Sequence, residues 1–208
     1  MWTIVLENSG VYTSFGLGQV AAPYLARTLP LEGAFLPNYY GTGHSSLDNY
    51  IAMTSGQGPN PATQGDCHDA TTMGGLSRAD AFLKKWVPLI QASPAYKKDG
   101  LLVIIFDEGV TGLSCCGEKT SPNVGSGTNS GFPFPGPLGA GGGQTGAILI
   151  SKFIKPGTIS LASYNHYSYL RSMEDIFGLG HLGYAAQDGL RPFGDDIFAS
   201  NPLTGVVQ

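Results

Sequence analysis

Two short apolar runs in this chain each end in a pair of polar side chains that could bind a metal ion: Glu7 and Asn8 after residues 2–6, and Asp107 and Glu108 after residues 101–106. If the runs are strands of one sheet, these carboxylates converge at its edge and repel one another unless a cation lies between them. Carboxylate and amide oxygens are ligands that divalent metals accept. The pattern therefore predicts a metal site at the carboxyl ends of two strands.

Ser46 is the candidate nucleophile. It stands where a glycine-containing turn, residues 41–45, runs into an apolar-periodic segment that predicts a helix. A metal beside its hydroxyl would lower the hydroxyl pKa and stabilise the alkoxide. The helix N-terminus would favour an anion such as phosphate. These features fit phosphoryl transfer through a covalent phosphoserine, with the metal as Lewis acid and template. The structural alternative is a serine that only caps the helix.

The elements that must position these residues alternate between strands and helices. The predicted strands are residues 2–6, 33–36, 101–106 and 147–150, with 2–6 expected to be central and buried on both faces. The predicted helices are 22–29, the segment from Ser46, the segment capped by Ser77, and 167–177. Residues 97–100 are expected to form a turn and 109–144 a long functional loop. This alternation predicts an α/β fold, a three-layer α/β/α sandwich with a mainly parallel central sheet.

Composition narrows the class of protein. The 208 residues suit one domain, 1–208, and 42% hydrophobic content predicts a globular chain. A net charge of −4 with only 12% charged residues argues against a nucleic-acid partner. No run reaches the roughly 18 apolar residues of a membrane span. No basic and apolar leader that would indicate a signal peptide is visible.

Several motifs resemble one known family when they are taken together and in order. They are Leu6-Glu7-Asn8, Pro23-Tyr24-Leu25, Asn38-Tyr39-Tyr40, His44 to Tyr50, Asp80-Ala81-Phe82-Leu83, Ile105 to Gly109, Cys115-Cys116-Gly117-Glu118, Ile154-Lys155-Pro156-Gly157, Tyr164 to Ser168 and Arg171 to Leu179. Over nearly its whole length the chain resembles the phosphoesterase family of the alkaline phosphatase superfamily. That family includes acid phosphatases and phospholipases C of the phosphatidylcholine type.

The resemblance implies a role for individual residues. Ser46 matches the family's nucleophile, and Asn49 matches an amide that helps to hold the phosphate. Residues that match metal ligands are Glu7, Asn8, Asp107 and Glu108, with His68 and Asp69 matching a histidine–aspartate element. His166 matches a late histidine that binds metal or phosphate. The cysteine pair at 115–116 implies an exported protein, secreted or in the cell envelope.

The chain departs from the family in two places. The family usually has proline where this chain has Ser45 and often proline where it has Asp48, and Asp48 adds negative charge near an anionic substrate. A family segment, on the order of a hundred residues, is also absent between Cys67 and His68. The chain has three cysteines. In an exported protein, Cys67 would pair with Cys115 or Cys116. In a reducing compartment, the cysteines would be free thiols.

The sequence thus predicts a metal-dependent phosphoric ester hydrolase of the acid phosphatase or phospholipase C type. Its partner would be a small phosphate ester or a phospholipid headgroup, and calcium, magnesium, manganese and zinc all remain open as the metal. The alternative is a non-catalytic protein that binds phosphate or a headgroup on the same fold. Sulfate-ester hydrolysis is disfavoured, because residues 46–50 lack the proline and arginine of sulfatase sites.

Overall fold

The computed structural model describes residues 1–44, 46–58, 75–117 and 141–199. The strands in these ranges are β1 (Trp2–Leu6), β2 (Ala34–Leu36), β3 (Tyr39–Tyr40), β4 (Leu101–Phe106), β5 (Ala147–Ser151), β6 (Thr158–Ile159) and β7 (Tyr164–Asn165). The α-helices are α1 (Gly18–Ala21), α2 (Leu29–Glu32), α3 (Ser46–Ser55), α4 (Gly75–Ala92), α5 (Pro94–Asp99) and α6 (His166–Phe177). The α/β class predicted from the sequence is confirmed.

Five strands form the central sheet, in the order β1-β4-β5-β2-β6. The pairs β1–β4 and β2–β6 are parallel, whereas β5 runs antiparallel to both of its neighbours. The sheet is therefore mixed, where the sequence predicted a mainly parallel one. An apolar run that is buried on both faces has the same pattern in either direction, so strand direction was not readable from it.

The first strand lies at the edge of the sheet and not at its centre. Among the strands of the described residues, only β4 pairs with β1, and four of the five residues of β1 are half-buried. The prediction of a central β1 was wrong, because five apolar residues do not reveal how many neighbours a strand has. The strand β4 lies between β1 and β5, and all six of its residues are buried.

Two hydrophobic clusters cover the two faces of the sheet and give the sandwich its three layers. On one face, Val103 and Ile105 of β4 pack with Met53 of α3 and Met173 of α6. On the other face, the alternate residues of β4 pack with Leu25 and with helix α4. The period of two along β4 sends alternate side chains to opposite layers.

Three helical regions differ from the sequence prediction. Helix α4 begins at Gly75, and Ser77 does not cap it but donates its hydroxyl to the carbonyl of Ala21. The predicted turn at 97–100 is mostly helix α5, because Ser93 caps it and Pro94 fits its first position. The predicted helix 22–29 is a π-helical turn, Tyr24–Thr28, that continues into α2.

The connection before the candidate nucleophile is held by a second, two-stranded parallel sheet of β3 and β7. Tyr39 pairs with Tyr164, and Tyr40 with Asn165. The two strands immediately precede the loop before α3 and the start of α6. Their pairing therefore brings the N-termini of α3 and α6 to the same edge of the molecule, beside the carboxyl ends of β1 and β4.

Candidate active site

Ser46 is the first residue of α3, and the loop before it is tied down by Asn49. The Asn49 amide oxygen accepts hydrogen bonds from the backbone N–H groups of Thr42 (2.8 Å) and Gly43 (3.2 Å). Its amide nitrogen donates to the Gly43 carbonyl at 2.9 Å. Asn49 is fully buried. The Asn49 side chain therefore points toward the loop and fixes the turn that precedes Ser46.

The loop passes very close to the end of β4. A Cβ atom at Gly41 would lie 2.8 Å from the backbone oxygen of Asp107, a distance that a side chain could not adopt. Only glycine allows this approach. The result is that the loop leading to Ser46 and the acidic strand end are in direct backbone contact.

The hydroxyl of Ser46 faces the carboxylate of Glu7. Its Oγ donates to Oε2 of Glu7 at 3.3 Å, and Tyr50 Oη donates to the other oxygen, Oε1, at 2.5 Å. Burial, together with the hydrogen bond and charge of Glu7, raises the pKa of Tyr50 well above its usual range. The phenol therefore stays protonated and acts as a donor. Two hydroxyls of α3 thus hold one carboxylate from the end of β1.

Asp107 is held differently, by backbone groups. It is fully buried, and its Oδ1 accepts from the N–H groups of Asn8 (2.8 Å) and Glu108 (2.7 Å). Asn8 has a φ of 52°, a left-handed conformation that asparagine tolerates, and this turn brings its N–H to Asp107. The other oxygen, Oδ2, is buried and has no hydrogen-bond partner among the described residues.

The pKa of Asp107 is raised to about 7. Burial is the largest cause, and the charge of Glu7 adds to it. The Ser46 hydroxyl and the two backbone N–H groups act in the opposite direction without cancelling the effect. A buried carboxyl with one unpartnered oxygen is most stable as an anion when a cation accompanies it.

Glu108 turns away from Asp107 toward His44. The Glu108 Oε2 atom lies 2.7 Å from Nδ1 of His44, and Nε2 of His44 donates to the Thr111 carbonyl at 2.9 Å. Burial lowers the pKa of His44, but the hydrogen bond and charge of Glu108 outweigh it and leave the pKa raised. Asp48 is buried nearby, where burial and the charge of Glu108 raise its pKa to about 7. The structure thus adds a carboxylate–histidine group beside Ser46.

His166 lies behind the strand end. Its Nε2 is 2.6 Å from the backbone oxygen of Asp107, so this nitrogen carries the proton, and its Nδ1 accepts from Tyr39 Oη at 3.0 Å. The ring is fully buried, and burial lowers its pKa to about 4. His166 is therefore neutral at physiological pH, and both of its ring nitrogens are engaged in supporting the end of β4.

Part of the predicted set of metal ligands comes together at this edge of the sheet. The described ranges contain no group of three or more His, Cys, Asp or Glu side chains placed to bind one ion. The donor chemistry does fit a hard divalent cation, because Glu7 and Asp107 supply carboxylates and Asp107 Oδ2 has no other partner. His68 and Asp69, which the sequence predicted as further ligands, lie outside the described residues.

The structure therefore brings together only part of the predicted site. Ser46, Glu7, Asn8 and Asp107 meet at one edge, whereas Glu108, Asn49 and His166 are bonded to neighbouring groups around it. The sequence prediction did not include Tyr50 among the site residues. The signal was present, because Tyr50 follows Ser46 by four residues and so shares its helix face.

The cysteine pair forms a disulfide between neighbours in the chain, Cys115 and Cys116. This pairing leaves neither of them for Cys67, which lies outside the described residues. The disulfide lies on the segment that follows Asp107 and Glu108, and Cys116 packs against a small cluster of Ala52, Tyr167 and Leu190. This cluster includes one residue of α3, the helix that begins with Ser46.

Among the helices described, none is long and apolar enough to cross a membrane.

Comparison with known proteins agrees with the family resemblance. The sequence profile of the phosphoesterase family matches residues 60–180, more than half of the chain. The fold is similar to the crystal structure of a protein in the alkaline phosphatase superfamily from Vibrio parahaemolyticus, with a TM-score of 0.60 and 12% sequence identity. The match covers 94% of this chain and 70% of the Vibrio protein. No curated protein matches the chain. With its three-layer architecture and the profile match, the chain belongs to the phosphoesterase family and has an alkaline phosphatase-like fold.

Proposed function

We propose that this phosphoric ester hydrolase is metal-dependent and acts through a covalent phosphoserine at Ser46. One observation carries the proposal. The Ser46 hydroxyl, at the N-terminus of α3, donates to Oε2 of Glu7 and lies beside the buried carboxyl of Asp107. A hydroxyl at a helix N-terminus that faces two carboxyl groups has both a proton acceptor and a place for an anionic substrate.

The proposed reaction has two displacements at phosphorus. Ser46 Oγ bonds to phosphorus as the bond to the leaving alcohol breaks, and the hydroxyl proton passes to a facing carboxylate while the alcohol oxygen takes up a proton. Water then attacks the phosphoserine, phosphate leaves, and the Ser46 oxygen regains a proton. Backbone N–H groups of the first turn of α3 are the donors placed to stabilise the negative oxygens.

The proposed metal ligands are Glu7, Asn8, Asp107 and Glu108, with His68 and Asp69 as further ligands. A calcium, magnesium, manganese or zinc ion bound there would supply Lewis-acid stabilisation of the serine and phosphate oxygens. The unpartnered Oδ2 of Asp107 supports this assignment, since a buried carboxylate oxygen needs a counter-charge. Glu108 would have to share its carboxylate between the metal and His44.

Asn49 and His166 enter the proposal through the positions that the structure gives them. Asn49 fixes the turn that precedes the nucleophile, and His166 fixes the backbone of Asp107. Direct contact of either side chain with phosphate would require it to exchange its present hydrogen bonds for bonds to the substrate. Both residues are fully buried, so we assign each of them a supporting role in the resting enzyme.

The proposed substrate is a small phosphate ester or a phospholipid headgroup. The enzyme would be of the acid phosphatase or phospholipase C type. We propose that it acts outside the cytoplasm, secreted or in the cell envelope. The disulfide between Cys115 and Cys116 supports this location, because disulfides persist in oxidising compartments.

The nucleophile is tested by replacing Ser46 with alanine. Ser46→Ala should lower the rate of chromogenic phosphate ester hydrolysis by at least about three orders of magnitude, the scale of losing a nucleophile. Ser55→Ala is the matched control, because Ser55 ends the same helix and, among the described residues, its hydroxyl bonds to the Ile51 carbonyl of that helix. Acid quenching of the wild type during turnover should trap a phosphate on Ser46 that mass spectrometry can locate.

Two outcomes would contradict the proposal. Near-wild-type turnover by Ser46→Ala would exclude the serine as nucleophile. Calorimetry that shows phosphate binding by a wild-type protein without any hydrolysis would favour the non-catalytic alternative.

A further inference from the structure

Glu7 is held at both of its carboxylate oxygens by hydroxyls of one helix. Ser46 and Tyr50 are four residues apart on α3 and therefore project from the same face. Their hydroxyls reach opposite oxygens of the carboxylate, at 3.3 Å for Ser46 and 2.5 Å for Tyr50. The shorter contact lies in the range of a strong, charge-assisted hydrogen bond between a hydroxyl and a carboxylate.

We propose that Tyr50 is a positioning residue that orients Glu7 toward Ser46. This inference rests on the proposed function, in which Glu7 faces the nucleophile and binds the metal. Tyr50 itself touches neither substrate nor reacting atom in this assignment. It acts through Glu7, by fixing which carboxylate oxygen points at the Ser46 hydroxyl.

The position of Glu7 in the fold explains why such a restraint is needed. Glu7 follows β1, the edge strand, and its side chain is only half-buried. A glutamate side chain loses considerable rotamer freedom when it is held in one conformation. A strong hydrogen bond from a rigid aromatic side chain offsets part of that loss. The Tyr50 ring is itself packed against the hydrophobic cluster that lies between the sheet and helices α3 and α6.

A second tyrosine provides a matched control. Tyr169 of α6 also belongs to this core face, and its hydroxyl also bonds to β1, at Thr3 Oγ1 over 2.8 Å. Replacing either tyrosine with phenylalanine removes one hydroxyl that bonds to β1 and leaves the ring in place. Only the Tyr50 substitution removes a contact with Glu7.

The first test compares Tyr50→Phe and Tyr169→Phe in the full chain. Tyr50→Phe should lower kcat for a chromogenic phosphate ester by about 10- to 100-fold, with a much smaller change in KM, and weaken Mn²⁺ binding in calorimetry by a similar factor. Tyr169→Phe should stay within about twofold of the wild type in both measurements. Equal losses in the two variants, or no loss in Tyr50→Phe, would overturn the proposal.

The second test asks whether Tyr50 acts through Glu7. In a Glu7→Ala background, Tyr50→Phe should cause little further loss of kcat, because the carboxylate that Tyr50 orients has been removed. If the two losses multiply in full, Tyr50 acts independently of Glu7 and the proposal fails.

A measurement on folding separates this inference from the proposed function. The urea midpoints of Tyr50→Phe, Glu7→Ala and the double variant should be non-additive, since each single substitution removes the same hydrogen bond. A wild type that neither hydrolyses phosphate esters nor binds Mn²⁺ would refute the proposed function. Additive midpoint shifts would refute the Tyr50–Glu7 restraint, whether or not the protein is active.

Discussion

The ends of β1 and β4 carry similar acidic chemistry but hold it in different ways. Glu7, after the edge strand, is half-buried and bonded by hydroxyls that belong to another element, α3. Asp107, after the buried strand, is fully buried and bonded by backbone N–H groups of the two strand ends themselves. The Asp107 carboxylate is thus fixed by the fold, whereas the Glu7 carboxylate is fixed by α3, the helix that begins with Ser46.

This difference assigns different tasks to the two carboxylates. A group fixed by backbone can keep its place before substrate or metal arrives, as preorganised sites require. A group fixed by the nucleophile's helix stays aligned with the nucleophile if that helix shifts. We therefore predict that the two carboxylates, which share one cation in the proposed function, respond differently to substitution.

Removing the proposed metal should produce the largest effect, since it would affect both strand ends at once. Dialysis against EDTA should lower hydrolysis by about 10³-fold or more, because a Lewis acid supplies several kcal/mol to such a transition state. Adding back calcium, magnesium, manganese or zinc separately should restore activity with one or two of them. Activity that survives exhaustive chelation would show that neither strand end holds a catalytic metal.

Neutralising the two carboxylates one at a time should give unequal losses. Asp107→Asn should lower kcat on the order of 10³-fold, because no other group can occupy its backbone-fixed position. Glu7→Gln should cost about 10²-fold, since the amide oxygen can still accept from Tyr50 and still ligate a metal. Steady-state kinetics under saturating metal measures both. A larger loss of kcat in Glu7→Gln than in Asp107→Asn would contradict this prediction.

The smallest predicted effect is on stability and its pH dependence. The pKa of Asp107 is about 7 in the folded protein against an ordinary value of 3.8. Between these values the folded state keeps a proton that the unfolded state has released, so the free energy of unfolding falls as pH rises. For this one group the slope is at most about 1.4 kcal/mol per pH unit.

Asp107→Asn isolates that contribution. In metal-free protein, the free energy of unfolding of the variant should rise relative to that of the wild type between pH 4.5 and pH 7, by roughly 1–2 kcal/mol in all. Urea denaturation of both proteins across this range measures the difference. If the difference in unfolding free energy between the two proteins does not change with pH, the pKa of Asp107 is not raised in the folded protein.

The buried strand β4 shows how much the sequence could predict. Six consecutive apolar residues, 101–106, were enough to predict a buried strand that ends in an acidic pair. Helix α6 was also predicted from local signals. Its apolar period and the glycine that follows it, Gly178, gave its bounds to within one residue. These features are local, so their residue types and spacing carry the information.

The predictions that needed correction depended on neighbours distant in sequence. The edge position of β1, the antiparallel direction of β5 and the placing of Ser77 all follow from which elements pack together. The helix α5 was missed for a local reason, because its cap, Ser93, and Pro94 were not recognised as a start signal.

For this protein, the sequence by itself determined the acidic strand ends, the serine at a helix start and the family to which the chain belongs. Only the tertiary structure decided which atoms face one another. Tyr50 meets Glu7 across 43 residues, and His166 meets the backbone of Asp107 across 59. Contacts of this kind form when the strand and helix ends meet at one edge, and burial there then sets each group's charge and partner.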